Sequence, residues 1–388
     1  MRKSIKSVQL GLNEMALAYN SKPVSASAFT QARANLLHTA FIELNQKSVI
    51  DVMYSDKKIK RYKGMRVLAV DGSKIALPKS QDTIQEFDEI QYSNQYGDVT
   101  RKYCTGVASV MYDVLNHVVI DSSLTHSKAY EGNLAIEHLN YTKEGDLLIF
   151  DRNYPSYMLL CYLILKKVNF VIRCSQKSFK QARNMLKGLG KPEQDVVLTP
   201  HYGKRKEVRE NNLPEQLNIR FVRVKLKTGE YEVLVTNLLN KRRFPKDTFK
   251  YLYYMRWGVE GLYHILKSRL NLENFTGKTV ESIYQDFYAA VYLTGLEAIL
   301  TLNSNKILAK RKTKFPQKVN RAVSFNAIKN LLFKLLSLKP NSFICIKKLE
   351  DLFLMTPTVV RESRHPPRVK HRSRTSLAFT KRARKYCF

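Results

Sequence analysis

Residues 145–176 read GDLLIFDRNYPSYMLLCYLILKKVNFVIRCSQ. The apolar run 147–150 ends at Asp151, a turn and an apolar helical stretch follow, and residues 168–174 return to a β-branched, strand-like pattern. A strand, a helix and a second strand in such close succession are typical of an α/β sheet with helices packed on its faces. This segment therefore predicts the class of the fold.

The strand-like pattern also occurs earlier in the chain, and the regions before and after it have a different pattern of apolar residues. Residues 65–78 and 103–126 also read as strands broken by turns, whereas SASAFTQAR and ARANLLHTAFIELNQ near the N-terminus have helical spacing and Ser or Thr cap candidates. The predicted regions are a basic helical N-terminal region (1–60), a first part of the core (61–174), a β-rich insertion (175–245), a second part of the core that carries a site helix (246–305), and a basic helical C-terminal region with a tail (306–388).

The charge balance of the chain indicates a polyanionic partner. The 388 residues include 66 Lys and Arg against 33 Asp and Glu, a formal charge of +33, which repels itself unless a polyanion neutralises it. The cations are spread over the whole chain among 22 Tyr and 18 Phe, and this favours nucleic acid over an anionic membrane surface. Nucleic acid is therefore the predicted partner.

Cysteine usage and hydropathy indicate the compartment. The five cysteines lie far apart without a CxxC pair, so neither a zinc knuckle nor a disulfide framework is expected. The start lacks the apolar core of a secretory signal. The apolar stretches YMLLCYLILKK and FYAAVYLTGLEAILTL are shorter than the ~20 residues that span a bilayer and are predicted to be buried helices. We expect reduced thiols, a cytoplasmic location and no membrane partner.

Three acidic residues occupy positions suited to chemistry. Asp71 closes the apolar run VLAVD, Asp151 closes LLIFD, and Glu260 lies in the helical segment 253–267, YYMRWGVEGLYHILK. Functional groups collect at strand ends in α/β sheets, so we expect the three carboxylates to converge if the helix packs over that crevice. Two magnesium ions would neutralise the cluster and assist phosphodiester cleavage, and manganese can substitute because it also prefers oxygen ligands.

The helical segment also carries a polar face. In a regular helix Tyr253, Arg256, Glu260 and Lys267 fall within an arc of roughly 60° on one face. A carboxylate flanked by two cations and a phenol is suited to holding a metal ion beside a phosphate. Each acid has a purely structural alternative: Asp71 as a turn former, Asp151 as stabiliser of the next helix N-terminus, and Glu260 as the helical partner of Arg256.

With these residues the sequence resembles the bacterial DDE transposases of insertion-sequence family four. Their signature, Tyr-x2-Arg-x3-Glu-x6-Lys, matches the four residues of the polar face. The similarity extends to DGS at Asp71, to DR-x-Y at residues 151–154 and to the position of the β-rich insertion, and so covers most of residues 60–305.

The resemblance implies a ribonuclease-H-like catalytic core interrupted by the insertion. It implies a metal-binding catalytic triad of Asp71, Asp151 and Glu260. Phosphate contacts at the transposon end are implied for Tyr253, Arg256, Lys267 and Arg152, and Trp257 is a further candidate DNA contact or else a core anchor. His264, one turn beyond Glu260, ranks lower, and there is no GxxxxGK[ST] loop for ATP.

Two departures from that family concern the DNA intermediate. Asn153 stands where many relatives have Gly, and the insertion contains no tryptophan to stack on a flipped base. Phe170, Tyr202 and Tyr231 are the aromatic substitutes. A DNA hairpin intermediate is therefore left open.

The sequence thus predicts a cut-and-paste DNA transposase that acts on double-stranded DNA with terminal inverted repeats and on target DNA. The N-terminal region and the insertion are expected to bind the repeats, and a homodimer in the DNA complex is expected through the C-terminal helices. Two alternatives remain: a nuclease of the same fold without strand transfer, and an inactive DNA-binding derivative.

Overall fold

The structure is a computed structural model that describes residues 7–55, 59–93, 98–226, 228–336 and 341–361. Most of the basic tail predicted from the sequence, including Cys387, lies outside these residues. Cys104, Cys161, Cys174 and Cys345 are buried free thiols.

A mixed sheet of nine strands forms the centre of the described chain. Its spatial order is β2-β3-β1-β5-β6-β9-β8-β7, and β4 pairs with the remaining length of β3. The strands of this sheet are β1 (Val67–Ala76), β2 (Glu89–Ser93), β3 (Val99–Asp113), β4 (Val118–His126), β5 (Leu147–Phe150), β6 (Asn169–Cys174), β7 (Glu193–Leu198), β8 (Leu217–Lys225) and β9 (Tyr231–Thr236).

Only the middle of the sheet is parallel. β1, β3 and β4 form an antiparallel meander, whereas β5 pairs in parallel with both β1 and β6. The parallel strands β5 and β6 are joined through a helix, because a parallel connection requires a crossover. The predicted mixed α/β architecture is confirmed.

The described residues also form fourteen α-helices. They are α1 (Val8–Tyr19), α2 (Ala26–Ala34), α3 (Thr39–Leu44), α4 (Asp51–Ser55), α5 (Gln81–Phe87), α6 (Glu131–His138), α7 (Tyr157–Leu165), α8 (Lys180–Leu186), α9 (Arg205–Glu210), α10 (Thr248–Tyr254), α11 (Trp257–His264), α12 (Val280–Lys310), α13 (Arg321–Leu336) and α14 (Asn341–Met355).

Helices cover both faces of the sheet because strand side chains alternate between faces. In β1, Val67 and Ala69 pack on the side of α10 and α11, whereas Leu68 and Val70 pack on the side of α7. Residues 147–150 of β5 are all buried, as expected for a strand covered on both sides.

The N-terminal helices are capped and tied to the rest of the chain. Ser7 and Ser25 accept backbone N–H hydrogen bonds as N-caps of α1 and α2, so the cap predicted in SASAFTQAR is Ser25. Arg33 at the end of α2 donates to Gln285 of α12 at 2.6 Å and forms an ion pair with buried Asp286 at 3.3 Å. The N-terminal region is thus anchored on the long helix α12.

The segment predicted as a β-rich insertion extends the central sheet. β7, β8 and β9 are antiparallel to one another, and β9 pairs with β6 through Val171–Cys174. Helices α8 and α9 cover this extension. The insertion therefore continues the hydrogen-bonded ladder of the core, which fixes its position relative to the ends of β5 and β6.

The helical segment predicted at residues 253–267 is broken. α10 ends at Tyr254, α11 starts at Trp257, and residues Ile265–Arg269 form a π-helical turn. The single regular helix assumed for the polar face is therefore wrong. The face is instead built from two short helices and a π-turn, whose angular spacing differs from 100° per residue.

The C-terminal part of the described chain adds a separate small core. α12, α13 and α14 pack together around residues such as Leu308, Ile328 and Phe353. A two-stranded ribbon, β10 (Gln317–Val319) with β11 (Pro357–Val359), lies beside them. The apolar stretches expected to be buried helices form α7 and part of α12, and no described helix is long and apolar enough to cross a membrane.

Candidate active site

Asp71 and Asp151 lie next to each other because of the strand register. Val70 pairs with Phe150 at the last position of the parallel β1–β5 ladder, and each aspartate is the next residue. Asp71 does not end its strand as predicted, since β1 continues to Ala76 through its antiparallel pairing with β3. The parallel pairing of β1 with β5 ends just before Asp71, because β5 itself ends at Phe150. The Asp71 side chain therefore lies at the end of the parallel ladder, beside Asp151.

Tyr253 connects the second aspartate to the helical side of the site. Its hydroxyl donates to Oδ1 of Asp151 at 3.0 Å, and the residue is only 5% exposed. Burial and the negative charge of Asp151 raise the pKa of Tyr253 well above its usual range, so the phenol stays protonated and acts as a donor.

Arg256 lies between the first aspartate and Glu260. Its Nη1 is 3.5 Å from Oδ2 of Asp71, and its Nη2 donates to Oε1 of Glu260 at 2.6 Å. The guanidinium is buried between two aromatic rings, with its centre 5.7 Å from the Tyr253 ring and 5.5 Å from the Trp257 ring. Burial alone would lower the pKa of Arg256, but Tyr253 and the nearby carboxylates outweigh it and raise the pKa. Arg256 is therefore a permanent cation in the centre of the site.

Tyr263 fixes the site helix on the sheet. Its buried hydroxyl lies 3.0 Å from the carbonyl oxygen of Asp71 and 2.8 Å from that of Ala108, so it bridges β1 and β3. On the same side of α11, Val259 and Leu262 pack into the core. This docking turns Glu260 and Arg256 toward the end of the parallel ladder.

The three predicted carboxylates share one region but do not yet form a metal cage. In the part of the chain that the structure describes, no three Asp, Glu, His or Cys side chains lie close enough together to hold an ion. Asp71 and Asp151 repel each other, whereas Glu260 is held by Arg256. The expected convergence is therefore incomplete in this arrangement, because a cationic side chain separates Glu260 from Asp71.

Lys267 lies farther along β1. Its Nζ donates to the carbonyl oxygen of Lys74 at 2.6 Å and lies 3.8 Å from Glu273. Burial lowers the pKa of Lys267, partly offset by Glu273. Lys267 is therefore separated from the carboxylates by the length of β1 beyond Asp71.

Arg152 and Trp257 are on the surface of the site. Arg152 is exposed and forms no ion pair with the described carboxylates. Trp257 is 45% exposed, with one ring face against Arg256. The alternative that Trp257 is a core anchor is wrong, because a core anchor would be enclosed by apolar side chains.

Glu131 is a fourth carboxylate that the sequence analysis missed. It begins α6, and its Oε1 would be 2.7 Å from a Cβ added to Gly72, so the Glu131 carboxylate lies against the residue that follows Asp71. Burial and the charge of Asp151 raise the pKa of Glu131. No local motif marks Glu131, because it reaches the site only through the packing of α6 on the sheet.

The floor of the site contains buried polar atoms without a hydrogen-bond partner among the described residues. The Tyr154 hydroxyl is one of them, and burial together with Glu131, Asp71 and Asp151 raises the pKa of Tyr154. Nε of Arg256 is another. Such atoms normally find a partner, and here they adjoin the carboxylates.

Three aromatic candidates for base stacking have different environments. Phe170 of β6 is fully buried on the face of the sheet that α7 covers, so it is wrong as a stacking residue. Tyr231 is half-buried with the guanidinium of Arg223 5.0 Å from its ring centre. Tyr202 is 82% exposed. Of the three, Tyr202 has the ring most accessible to a base.

His264 and His138, two of the described histidines, lie outside the acidic cluster. His264 is exposed and lies within 3.3 Å of the Ser268 hydroxyl. His138 contacts Ser109 at 2.9 Å and Asp121 at 2.6 Å, an arrangement with the connectivity of a serine hydrolase triad. Ser109 is completely buried, so no substrate reaches it, and this network instead fastens α6 to β3 and β4. It thereby holds Glu131 in place.

The ionisation of Asp71 gives a pH-dependent prediction. Burial, against the opposing effect of Arg256, raises the pKa of Asp71 to about 6. The pKa of this carboxyl in the unfolded chain is about 3.9, so the native state favours the protonated acid. The free energy of unfolding therefore falls as the pH rises from about 4 to about 6, and the full loss is present above that range. In metal-free buffer, Asp71→Asn should therefore raise the free energy of unfolding at pH 7 by up to about 3 kcal/mol.

Thermal melts at several pH values check this expectation. The gain of Asp71→Asn over wild type should shrink as the pH falls toward 4. Asp51→Asn, which removes an exposed carboxylate on α4, is the matched control and should change little. An equal gain at every pH would contradict the assignment of a raised pKa to Asp71.

A family model described as "Transposase DDE domain" matches residues 62–293, more than half of the chain. The chain therefore belongs to this family of DDE transposases, whose members generally use divalent metal ions. The matched range begins just before β1 and ends within α12, so it includes every carboxylate of the site. No curated protein matches the chain significantly.

Among solved structures, the chain is similar to "piggyBac transposase synaptic complex with hairpin DNA". The sequence identity is 9% and the TM-score 0.42, with 94% of this chain and 78% of that chain covered.

Proposed function

We propose that this protein is a cut-and-paste DNA transposase of the insertion-sequence family four type, with Asp71, Asp151 and Glu260 as its catalytic carboxylates. The observation that carries the proposal is the register of the parallel ladder, which puts Asp71 beside Asp151 under the helix that carries Glu260. The strand order supports a ribonuclease-H-like core: an antiparallel meander of β1, β3 and β4 followed by parallel β5 and β6.

The donor set fits divalent metal ions. All candidate ligands are carboxylates, the hard oxygen donors that magnesium and manganese prefer, and neither a thiolate nor an imidazole is among them. The raised pKa values of Asp71 and Glu131 reflect crowded negative charge that a cation would relieve. Two Mg²⁺ ions, held by Asp71, Asp151 and Glu260, would activate the attacking oxygen and stabilise the leaving oxygen.

The protein's own side chains have complementary roles. Arg256 supplies a fixed positive charge for a DNA phosphate once Glu260 turns toward the aspartates. Tyr253 orients the Asp151 carboxylate through its hydroxyl hydrogen bond. Tyr263 keeps Asp71 in register by holding its backbone carbonyl oxygen.

DNA contacts are proposed for the exposed rim of the same site. Arg152 and the exposed part of the Trp257 side chain are accessible to a phosphate and a base, respectively. Lys267 contacts a phosphate only if it gives up or shares its hydrogen bond with the Lys74 carbonyl oxygen. Terminal inverted repeats and target DNA are the proposed substrates, a homodimer the proposed active form, and the bacterial cytoplasm the proposed location.

The proposal is tested with a DNA fragment that carries the ends flanking the gene. The full chain should cleave it in Mg²⁺ or Mn²⁺ and join the freed 3′ ends to a target plasmid, and EDTA should stop both reactions. Cleavage without joined products would favour the nuclease alternative, and binding without cleavage would favour an inactive derivative.

Glu131 yields a further prediction. Its carboxylate adjoins Asp71 and Asp151, so Glu131→Gln should weaken the apparent affinity for Mg²⁺ in the cleavage reaction by about 10–100-fold. High Mg²⁺ should restore the rate. Glu137→Gln, on the exposed side of the same helix, is the matched control and should leave the Mg²⁺ dependence unchanged. If both variants behaved like wild type, Glu131 would have no part in the site.

A further inference from the structure

An open pocket with a basic wall lies at the end of the site helix, away from the carboxylates. It has a volume of about 590 Å³ and is formed by the ribbon β10–β11, the start of α13 and the π-helical turn after α11. We call it the basic pocket, because its lining includes four cationic residues: Arg269, Lys318, Arg321 and Arg361.

Pairing of the ribbon brings distant cations together. Lys318 lies opposite Thr358 in the β10–β11 register, and the Val360 N–H donates to the Pro316 carbonyl oxygen at 2.8 Å. Phe315 and Arg361 are the next residues beyond this hydrogen bond, and the Arg361 guanidinium lies 5.8 Å from the centre of the Phe315 ring. The stretch KRKTKFPQKVNR at residues 310–321 contains six cations and no carboxylate.

The positive charges of the pocket are poorly neutralised by the carboxylates that the structure describes. Among the described carboxylates, only Glu297 pairs with the basic pocket, at 3.9 Å from Arg321, and it also accepts a hydrogen bond from Ser324. Lys318 is exposed overall, yet partial burial of its ammonium group and the charge of Arg321 lower its pKa. Burial, followed by the charges of Arg321, Lys60 and Lys318, lowers the pKa of His117 on the adjoining hairpin.

Such a concentration of like charge is stabilised by a bound anion. The pocket is open to solvent and lined mainly by polar side chains and backbone, without an enclosed cavity for a small organic ligand. Phe315 at its rim, flanked by Lys314 and Arg361, adds an aromatic face beside the cations. Cations beside an exposed aromatic ring are typical of a surface that binds a nucleic-acid backbone.

The position of the pocket relative to the catalytic carboxylates also favours DNA. Arg269 follows Glu260 by nine residues through the rest of α11 and the π-helical turn, and at no more than roughly 1.5 Å per residue the axial distance is at most roughly 13 Å. At about 3.4 Å per base pair, this corresponds to about four base pairs of duplex. One DNA duplex can therefore reach both places.

We infer that the basic pocket binds the phosphodiester backbone of the DNA duplex whose end lies at the carboxylates. This inference rests on the proposed function and extends it, because it assigns a DNA contact to the C-terminal region, which was expected only to mediate dimerisation. The contact is independent of base sequence and does not require metal ions.

The test measures binding in EDTA, where catalysis plays no part. Fluorescence anisotropy of a labelled duplex of arbitrary sequence, recorded over a range of salt concentrations, gives the slope of log K against log salt. For the full chain with Lys318→Gln and Arg361→Gln together, the slope should fall by about two, since each lost phosphate contact contributes about 0.9.

Two control variants distinguish loss of the pocket contact from a general loss of positive charge and from a folding defect. Lys166→Gln with Lys167→Gln removes the same charge just before β6, at the opposite end of the parallel strands from the carboxylates, and should leave the slope nearly unchanged. Lys318→Arg with Arg361→Lys keeps the charges and should retain the wild-type slope. A melting curve establishes that each variant is folded.

Each other outcome has a defined meaning. If the Lys318→Gln and Arg361→Gln variant had the same slope of log K against log salt as wild type, the pocket contact would be overturned. The transposase proposal would stay intact. A full chain that binds the duplex with the expected slopes but never cleaves would overturn the catalytic proposal alone. Absence of DNA binding by wild type would overturn both. Binding of wild type and of the Lys318→Gln and Arg361→Gln variant to anionic phospholipid vesicles is measured as well. If the variant lost vesicle binding while its DNA binding stayed unchanged, the pocket would be assigned to a membrane surface and the inference overturned.

Discussion

Glu260→Gln is expected to abolish DNA cleavage while leaving DNA binding intact. The amide keeps the shape of the side chain but removes one negative charge from the cluster that would hold the metal ions. The loss should be at least about a thousandfold in rate, equivalent to about 4 kcal/mol of transition-state stabilisation. Cleavage of the flanking ends in Mg²⁺ and anisotropy in EDTA measure the two properties separately.

The control for this variant is Glu210→Gln, which removes an exposed carboxylate on α9 and should cleave like wild type. Because Glu260 accepts a hydrogen bond from Arg256, the variant should also melt at a slightly lower temperature. Full cleavage by Glu260→Gln would show that the catalytic carboxylates have been assigned wrongly.

Arg256→Gln is expected to have the largest effect on stability. Arg256 is only 4% exposed and lies beside Asp71 and Glu260, so its removal leaves negative charge buried without a counterion. Removing one partner of a buried ion pair typically costs 3–5 kcal/mol, and because the Glu260 side chain is 37% exposed we expect about 3 kcal/mol. Urea unfolding in metal-free buffer measures the change.

Divalent metal ions should partly reverse this loss. A bound cation replaces the missing positive charge, so Mg²⁺ should raise the stability of Arg256→Gln more than that of wild type. Arg152→Gln removes a neighbouring but exposed cation and should change stability by less than about 0.5 kcal/mol. If Arg256→Gln were as stable as wild type without metal, the buried guanidinium would not be the counterion of the cluster.

Local patterns in the sequence were sufficient for the individual parts of the site. The apolar runs before Asp71 and Asp151 form the adjacent strands β1 and β5, because four consecutive buried residues suit a strand covered on both faces. The segment that contains Glu260 is helical as predicted. Ser25 caps α2 because a serine at that position satisfies a free backbone N–H.

Two predictions failed: one assumed a single regular helix at residues 253–267, and the other assumed that the Phe170 ring is exposed. The break after Tyr254 and the π-turn at Ile265–Arg269 lie on either side of α11, which Tyr263 fastens to the sheet. Phe170 reads as an aromatic on a strand, but its face of β6 is covered by α7. Burial on a particular face depends on which helix packs there, and spacing along the chain does not encode it.

The sequence by itself determined the α/β class, the order of the elements and the family to which the chain belongs, because these depend on hydrophobic periodicity and on motifs a few residues long. Tertiary structure alone decided that Arg256 separates Glu260 from Asp71, that Glu131 joins the carboxylates, and that Arg269 meets Lys318 and Arg361 in one pocket. Except for the local pair of Arg256 with Glu260 four residues later, these contacts join segments far apart in the chain, and only strand register and helix packing bring their side chains within reach of one another.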